Sequence, residues 1–154
     1  MAEPARTTET PLYERDFHAW SEDQHRVLKA RSSAGLDWDN LAEEIRSLGG
    51  SERSEIRSRL VVVLHHLLKW QYQPSRRKAG WTASILEARD QLNERLKESP
   101  SLRSYPATVV DKQYVIARLR AADETELPLD TFPEQCPYDL AEILDENFLP
   151  DQRN

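Results

Sequence analysis

The stretch VVVLHHLLKWQYQP, residues 61–74, is the most apolar part of the chain, yet it holds two adjacent histidines, a lysine, a tryptophan and a tyrosine. On a helical wheel of 100° per residue, Ile56, Leu60, Val63, Leu64, Leu67 and Gln71 share one sector. Leu68, Val61 and Tyr72 widen it on one side, and Trp70, Arg59 and His66 flank it on the other. Ser58, Val62, His65 and Lys69 fill the remainder. A segment apolar over most of its circumference reads as a central helix packed on several sides. The wheel also separates the histidines. His65 is expected in water beside Lys69. His66 is expected at the rim of the core, bonded to a carboxylate or a backbone carbonyl, because an unpaired buried polar group costs about 1–3 kcal/mol.

Working outward, Phe17, Trp20, Gln24, Val27, Leu28 and Arg31 line one helical face. Ser21 with Gln24 resembles a capping box, which places a helix over about 22–33, closed by Gly35. Leu41, Ile45 and Leu48 form the buried stripe expected of the next helix, capped by Asp37 or Asp39. Gly49 and Gly50 are expected to break it, and Ser51 to cap the long helix that reaches Tyr72. Trp81, Ile85, Ala88, Leu92 and Leu96 mark another helix, stopped before Pro100. The last long helix is expected over 102–122 with two apolar strips: Tyr105, Val109, Ile116 and Leu119, and Val110, Tyr114, Ala117 and Ala121. Beyond it, Pro128, Pro133 and Pro137 forbid continuous helix. A short helix fits 138–144, and Phe132, Phe148 and Leu149 read as anchors of an extended strap. No segment alternates as a strand does. The expected fold is all-α: one helical bundle of about five helices over residues 12–150 with a proline-rich C-terminal strap, a flexible tail over 1–11 and a short tail over 151–154.

A chain of 154 residues is long enough to bury a real core. Its single cysteine, Cys136, forms no internal disulfide and fits a reducing compartment. No basic-then-apolar leader is present, and the longest uninterrupted apolar run, Leu60 to Leu64, is far short of a membrane span. The expected setting is the cytoplasm, without membrane contact. The net charge of −6 is uneven: −4 over residues 1–50, +5 over 51–103 and −7 over 104–154. Complementary packing of a basic middle against acidic ends explains this most simply, and an acidic total disfavours nucleic-acid binding.

Neighbouring histidines on a helix point about 100° apart, so His65 and His66 do not chelate one ion together. No metal motif occurs, and the spacing of His18 and His25 is a weak signal, so no metal and no cofactor is expected. Cys136 has no neighbour that lowers its pKa. Four glycines and no phosphate loop make nucleotide-binding folds a poor fit. Five residues separate Arg59 from His65 and six separate it from His66, spacings also found in small helical ribonucleases of the HEPN class, where histidine moves protons and arginine meets phosphate charge. Glu44, on the edge of its helix's stripe, could complete a Glu44–Arg59–His66 network across a helix pair. The basic run Arg76, Arg77 and Lys78, with Trp70, Tyr72 and Trp81 nearby, could hold phosphate or stack a base. The plainer expectation is a solvated loop whose arginines pair with the acidic tail.

The segments DFHAW, WDNLAEEIRSLGGSERSEIRSRLVVVLHHLLKWQYQP, GWTASI, SPSL and LPLDTFPEQCPYDLAEILDENFLP together resemble the bacterial domain of unknown function family numbered 29, from Tyr13 to Pro150. The resemblance implies a helical fold and no established activity, and it supplies no catalytic residue. The family pattern has a histidine matching His66, whereas the position of His65 is usually another residue type there. The reading that results is a non-catalytic cytoplasmic scaffold or interaction protein. Its partner is a protein, self or other, with a homodimer motivated by the second strip of the last long helix. The alternative is a metal-independent ribonuclease of HEPN type using Arg59 and His66.

Overall fold

The computed structural model describes residues 9–150; the 1–8 part of the expected N-terminal tail and the 151–154 tail lie outside them. Six α-helices occur among the described residues: α1 (Leu12–Arg15), α2 (Phe17–Lys29), α3 (Trp38–Tyr72), α4 (Ala79–Glu98), α5 (Tyr105–Thr125) and α6 (Leu140–Leu144). No strand is present among them. The protein is all-α, and its contacts cluster into two compact units, 1–49 and 50–154.

The element bounds depart from the sequence reading at several places, three of them with a clear local cause. First, α2 begins five residues early because Asp16, not Ser21, caps it, accepting from the Ala19 amide at 2.9 Å. Ser21 instead donates to the His18 carbonyl, and Gln24 turns inward, donating to the Gly35 carbonyl and accepting from the Asp37 amide. Second, Gly49 and Gly50 lie inside α3, which runs unbroken for 35 residues. Glycine costs a helix only about 1 kcal/mol, and the flanking turns are strong helix formers. Third, α5 starts at Tyr105 with Pro106 in its first turn, where the missing N–H costs nothing, and ends on Glu126 in the left-handed region (φ 57°).

In the unit 50–154, the core is built around α3. Ile56, Leu60, Val63, Leu64, Leu67 and Leu68 are wholly buried, packed with Ile85, Leu92 and Leu96 of α4 and Tyr114, Ala117 and Ala121 of α5. The strap closes over this core, with Phe132 fully buried and Phe148 and Leu149 packed against it. Its irregular backbone leaves carbonyls that no ladder satisfies. Side chains from the helices serve them. The Arg89 guanidinium, 1% exposed, donates to the Ile143, Phe148 and Glu142 carbonyls at 2.8, 2.7 and 3.0 Å. Arg118 donates to the carbonyls of Phe132 and Leu129, the Tyr114 hydroxyl donates to the Pro133 carbonyl, and the Tyr138 hydroxyl donates to the Gln71 side chain at 2.7 Å. A capping box between Asp139 and Glu142 sets the start of α6.

In the unit 1–49, Trp20, Gln24 and Val27 are the buried side chains of α2. The Trp20 indole donates to Asp37 at 3.0 Å, and Tyr13, Phe17 and Trp20 form a cluster of aromatic rings. The stripe expected to be buried here is not: Ile45 and Leu48 are 70% and 69% exposed, and only Leu41 is half-buried. The inward face of α2 is taken up by its own contacts with the 35–37 turn.

Arg89→Met is expected to cost about 3 kcal/mol, since it strands one buried and two part-buried carbonyls; chemical denaturation checks this, and a loss below about 1 kcal/mol would show that the strap does not depend on it. A Cβ at Gly49 or Gly50 meets nothing within 4 Å. Gly49→Ala and Gly50→Ala should therefore each raise stability by about 0.5–1 kcal/mol, read from the same unfolding curves, and destabilisation by either would speak against the unbroken helix.

Candidate functional sites

The first site lies in the unit 50–154, where α3 and α5 meet. Glu124 of α5 places one carboxylate oxygen, Oε2, 2.7 Å from His65 Nε2 and 2.7 Å from Lys69 Nζ. His65 is 7% exposed and Lys69 8%, so the expectation of a solvated His65 is wrong. The wheel left that side of α3 open to water, but α5 covers it and supplies the counter-charge. The Lys69 ammonium also sits 4.6 Å over the Trp81 ring, a desolvated cation–π contact. Burial pushes the Glu124 carboxyl up, but the hydrogen bonds from His65 and Lys69 and the charge of the Lys69 ammonium outweigh it and hold the group well below the ordinary carboxylate range. Burial lowers the His65 pKa against the pull of Glu124. The imidazole is then neutral, and because an ionised carboxylate only accepts, its proton resides on Nε2. Nδ1 is left as a buried acceptor with no hydrogen-bond partner.

His66 turns the other way. Its Nδ1 lies 2.8 Å from the Val62 carbonyl, which fixes the proton on that nitrogen, and its ring centroid is 4.2 Å from that of His65. Burial carries its pKa down to about 4. Arg59 is half-buried, with Nε enclosed and unpaired. Gly49 and Gly50, expected to part the helix pair of a Glu44–Arg59–His66 network, lie within one helix, and Glu44 accepts from the Tyr13 hydroxyl. The basic run divides. Arg77 folds inward, donating to the Trp70 carbonyl at 2.8 Å with its guanidinium 4.5 Å from the Trp70 ring. Arg76 and Lys78 stay exposed and, with Lys69, Gln73, Trp81 and Glu124, line a cavity of about 350 Å³. Neither of these two cations forms an ion pair among the described residues, so the expected pairing with the acidic tail is absent.

The second site is in the unit 1–49. Phe17, Trp20 and Leu28 of α2 and Leu41, Ile45 and Leu48 of α3 line an apolar groove of about 280 Å³, with Ser21, Gln24, His25 and Glu44 at its polar edges. Phe17 and Leu28 are each 51% exposed. Cys136, in the strap, is half-buried, and burial pushes its thiol up, away from nucleophilic chemistry. Among the described residues no three or more His, Cys, Asp or Glu side chains are grouped to hold a metal, and no helix is long and apolar enough to cross a membrane.

Glu124 and Arg89 escaped the sequence reading for different reasons. Glu124 is 55 residues from Lys69, and only the opposed charges of the middle and the last third hinted at it. Arg89 had a local signal: it falls between Ile85 and Leu92 on the buried face of α4.

The family described as Domain of unknown function DUF29 matches residues 12–149, nearly the whole chain, and the protein belongs to it. No curated protein and no solved structure matches the chain.

The histidine geometry fixes the sign of a pH effect. An unfolded His66 takes a proton near pH 6.5, whereas the folded one refuses it until about 4. Stability is therefore full above pH 6.5 and falls as pH drops from 6.5 towards 4. His66→Gln should flatten that part of the stability–pH curve by at most about 3 kcal/mol, as measured by urea unfolding at pH 7 and pH 4.5. Parallel curves for the two proteins would rule out a neutral, buried imidazole.

Proposed function

We propose that this DUF29 protein is a non-catalytic interaction protein of the cytoplasm, and that the α2–α3 groove is the surface it uses, taking the same groove of a second copy. The observation that carries the reading is the concentration of bare apolar side chains on one small two-helix unit: Phe17, Leu28, Ile45 and Leu48, each half exposed or more. Two amphipathic helices with one apolar face uncovered are half of a four-helix bundle, and an identical hairpin brought up by a two-fold axis completes it. Glu44 is the one acidic group at the groove's polar edge, so a self-complementary approach meets no block of like charge. Burying the exposed part of these four side chains in each copy contributes on the order of 10 kcal/mol, against an association cost of about 4–15 kcal/mol. The balance describes a weak, concentration-dependent dimer. The single cysteine suits a reducing compartment.

The ribonuclease reading has less support. A general acid–base works best with a pKa near the operating pH, and His66, near 4 and bonded to a carbonyl of its own helix, has neither the pKa nor the freedom. The strip of α5 that carries Ile116 and Leu119, 36% and 55% exposed, is the rival surface for self-association.

Sedimentation equilibrium over a range of micromolar concentrations should show the wild-type mass rising towards twice that of the chain. Ile45→Glu with Leu48→Glu should hold the mass at one chain with helical circular dichroism unchanged, whereas Leu119→Glu should leave the rise intact. A mass of one chain throughout, or one lowered only by Leu119→Glu, would refute the groove.

A further inference from the structure

We infer that the cavity at the start of α4 binds a phosphate group, free or carried by a small phosphorylated molecule without a stacked base. Three cations reach it: Lys69, Arg76 and Lys78, against the one carboxylate of Glu124. That carboxylate is already engaged on one oxygen by His65 and Lys69, so Arg76 and Lys78 carry the free positive charge. Like charges held two residues apart on a short turn, with no anion among the described residues to pair them, raise the local potential, and a dianion relieves it. Gln73 adds a lining amide whose NH₂ is anchored on the Thr125 carbonyl at 3.2 Å.

The backbone points the same way. Lys78 is the N-cap of the 20-residue α4, in extended conformation, and no side chain caps the helix. Lys78 and Trp81 both line the cavity, and the two helical residues between them are Ala79 and Gly80. A Cβ at Gly80 would meet nothing within 4 Å, so a ligand oxygen has open approach to the first turn, where N–H groups and the helix dipole favour an anion. The base is excluded by the aromatics. Trp81, which lines the cavity, is only 6% exposed and has Lys69 over its ring, and Trp70, with Arg77 over its ring, does not line the cavity. The cavity therefore offers no open aromatic face on which a nucleobase stacks.

Titration of the ¹⁵N-labelled protein with inorganic phosphate, and separately with glycerol 3-phosphate, against sodium chloride at matched ionic strength tests this. Saturable shifts of the Ala79 and Gly80 amides are expected with both ligands. Equal affinity would identify free phosphate as the sufficient ligand, and tighter binding of the ester a phosphorylated metabolite. Arg76→Gln and Lys78→Gln alter exposed side chains and should each weaken binding about tenfold without changing the rest of the spectrum. Shifts no larger than those from chloride, affinity unchanged in the double variant, or binding of a single-stranded oligonucleotide but not of phosphate would each overturn the assignment. Because these variants lie far from the groove residues in sequence and leave them intact, the outcome is independent of the dimer reading.

Discussion

Residues 60–69 of α3 are buried except for Val62 and His66, which are half-buried, and that exclusion governs the polar side chains among them. A helix surrounded on most sides has little water to point a charge into, so each buried polar atom must find an internal partner or remain costly. Lys69 and His65 share one oxygen of Glu124, Gln71 is met by the Tyr138 hydroxyl, and His66 closes onto its own helix at Val62. The histidine doublet is thus accounted for by burial. One ring helps hold a carboxylate in its ionised form, the other is locked as a neutral donor, and neither is free to shuttle protons at neutral pH.

The same constraint explains the strap. A proline-rich segment cannot satisfy its own carbonyls, and laying it over an apolar core removes the water that would otherwise do so. Long cationic side chains solve this because a guanidinium presents several donors in fixed directions. Arg89 sits within the core face of α4 for this reason, and Arg118 of α5 does the same for the turn before Phe132. The positive charge of the middle of the sequence and the negative charge of its last third are therefore only partly a matter of ion pairs. Much of the basic charge is spent on neutral carbonyls, which is why the formal balance over the last third misled the reading of Arg76 and Lys78.

How much was legible follows from which forces act locally. The helical class, the central role of residues 56–71 and the inward strip of Tyr114, Ala117 and Ala121 were readable because hydrophobic periodicity reports directly on packing. The wheel and the cost of an unpaired ring called for a bonded His66 with either a carboxylate or a carbonyl as partner, and the structure supplies the Val62 carbonyl. Helix continuity through Gly49 and Gly50 was not readable, since glycine weakens a helix without forbidding it and propagation from both sides decides the outcome. The fate of Ile45 and Leu48 was not readable either. A periodic stripe says that a face seeks cover, and it does not say whether the cover lies within the same chain. His65 failed for the complementary reason: a wheel describes one helix, and the group that buried this residue belongs to another helix 59 positions away.

The two halves of α3 therefore pose one question with opposite answers. From Ile56 to Lys69 the helix is completed by α4, α5 and the strap, and its polar residues are structural. From Leu41 to Leu48 the same kind of stripe stays open, with no buried charge to satisfy and no neighbour within its unit to cover it. Were the open stripe only a poorly packed core, its side chains would cost solubility without return, and replacing Ile45 and Leu48 by polar residues would be neutral or beneficial in every assay. If it is a surface kept for another protein, those substitutions leave folding unchanged and abolish association. Stability and assembly should therefore separate cleanly on this helix: changes at Leu60 to Leu68 unfold the protein, and changes at Ile45 and Leu48 only disconnect it.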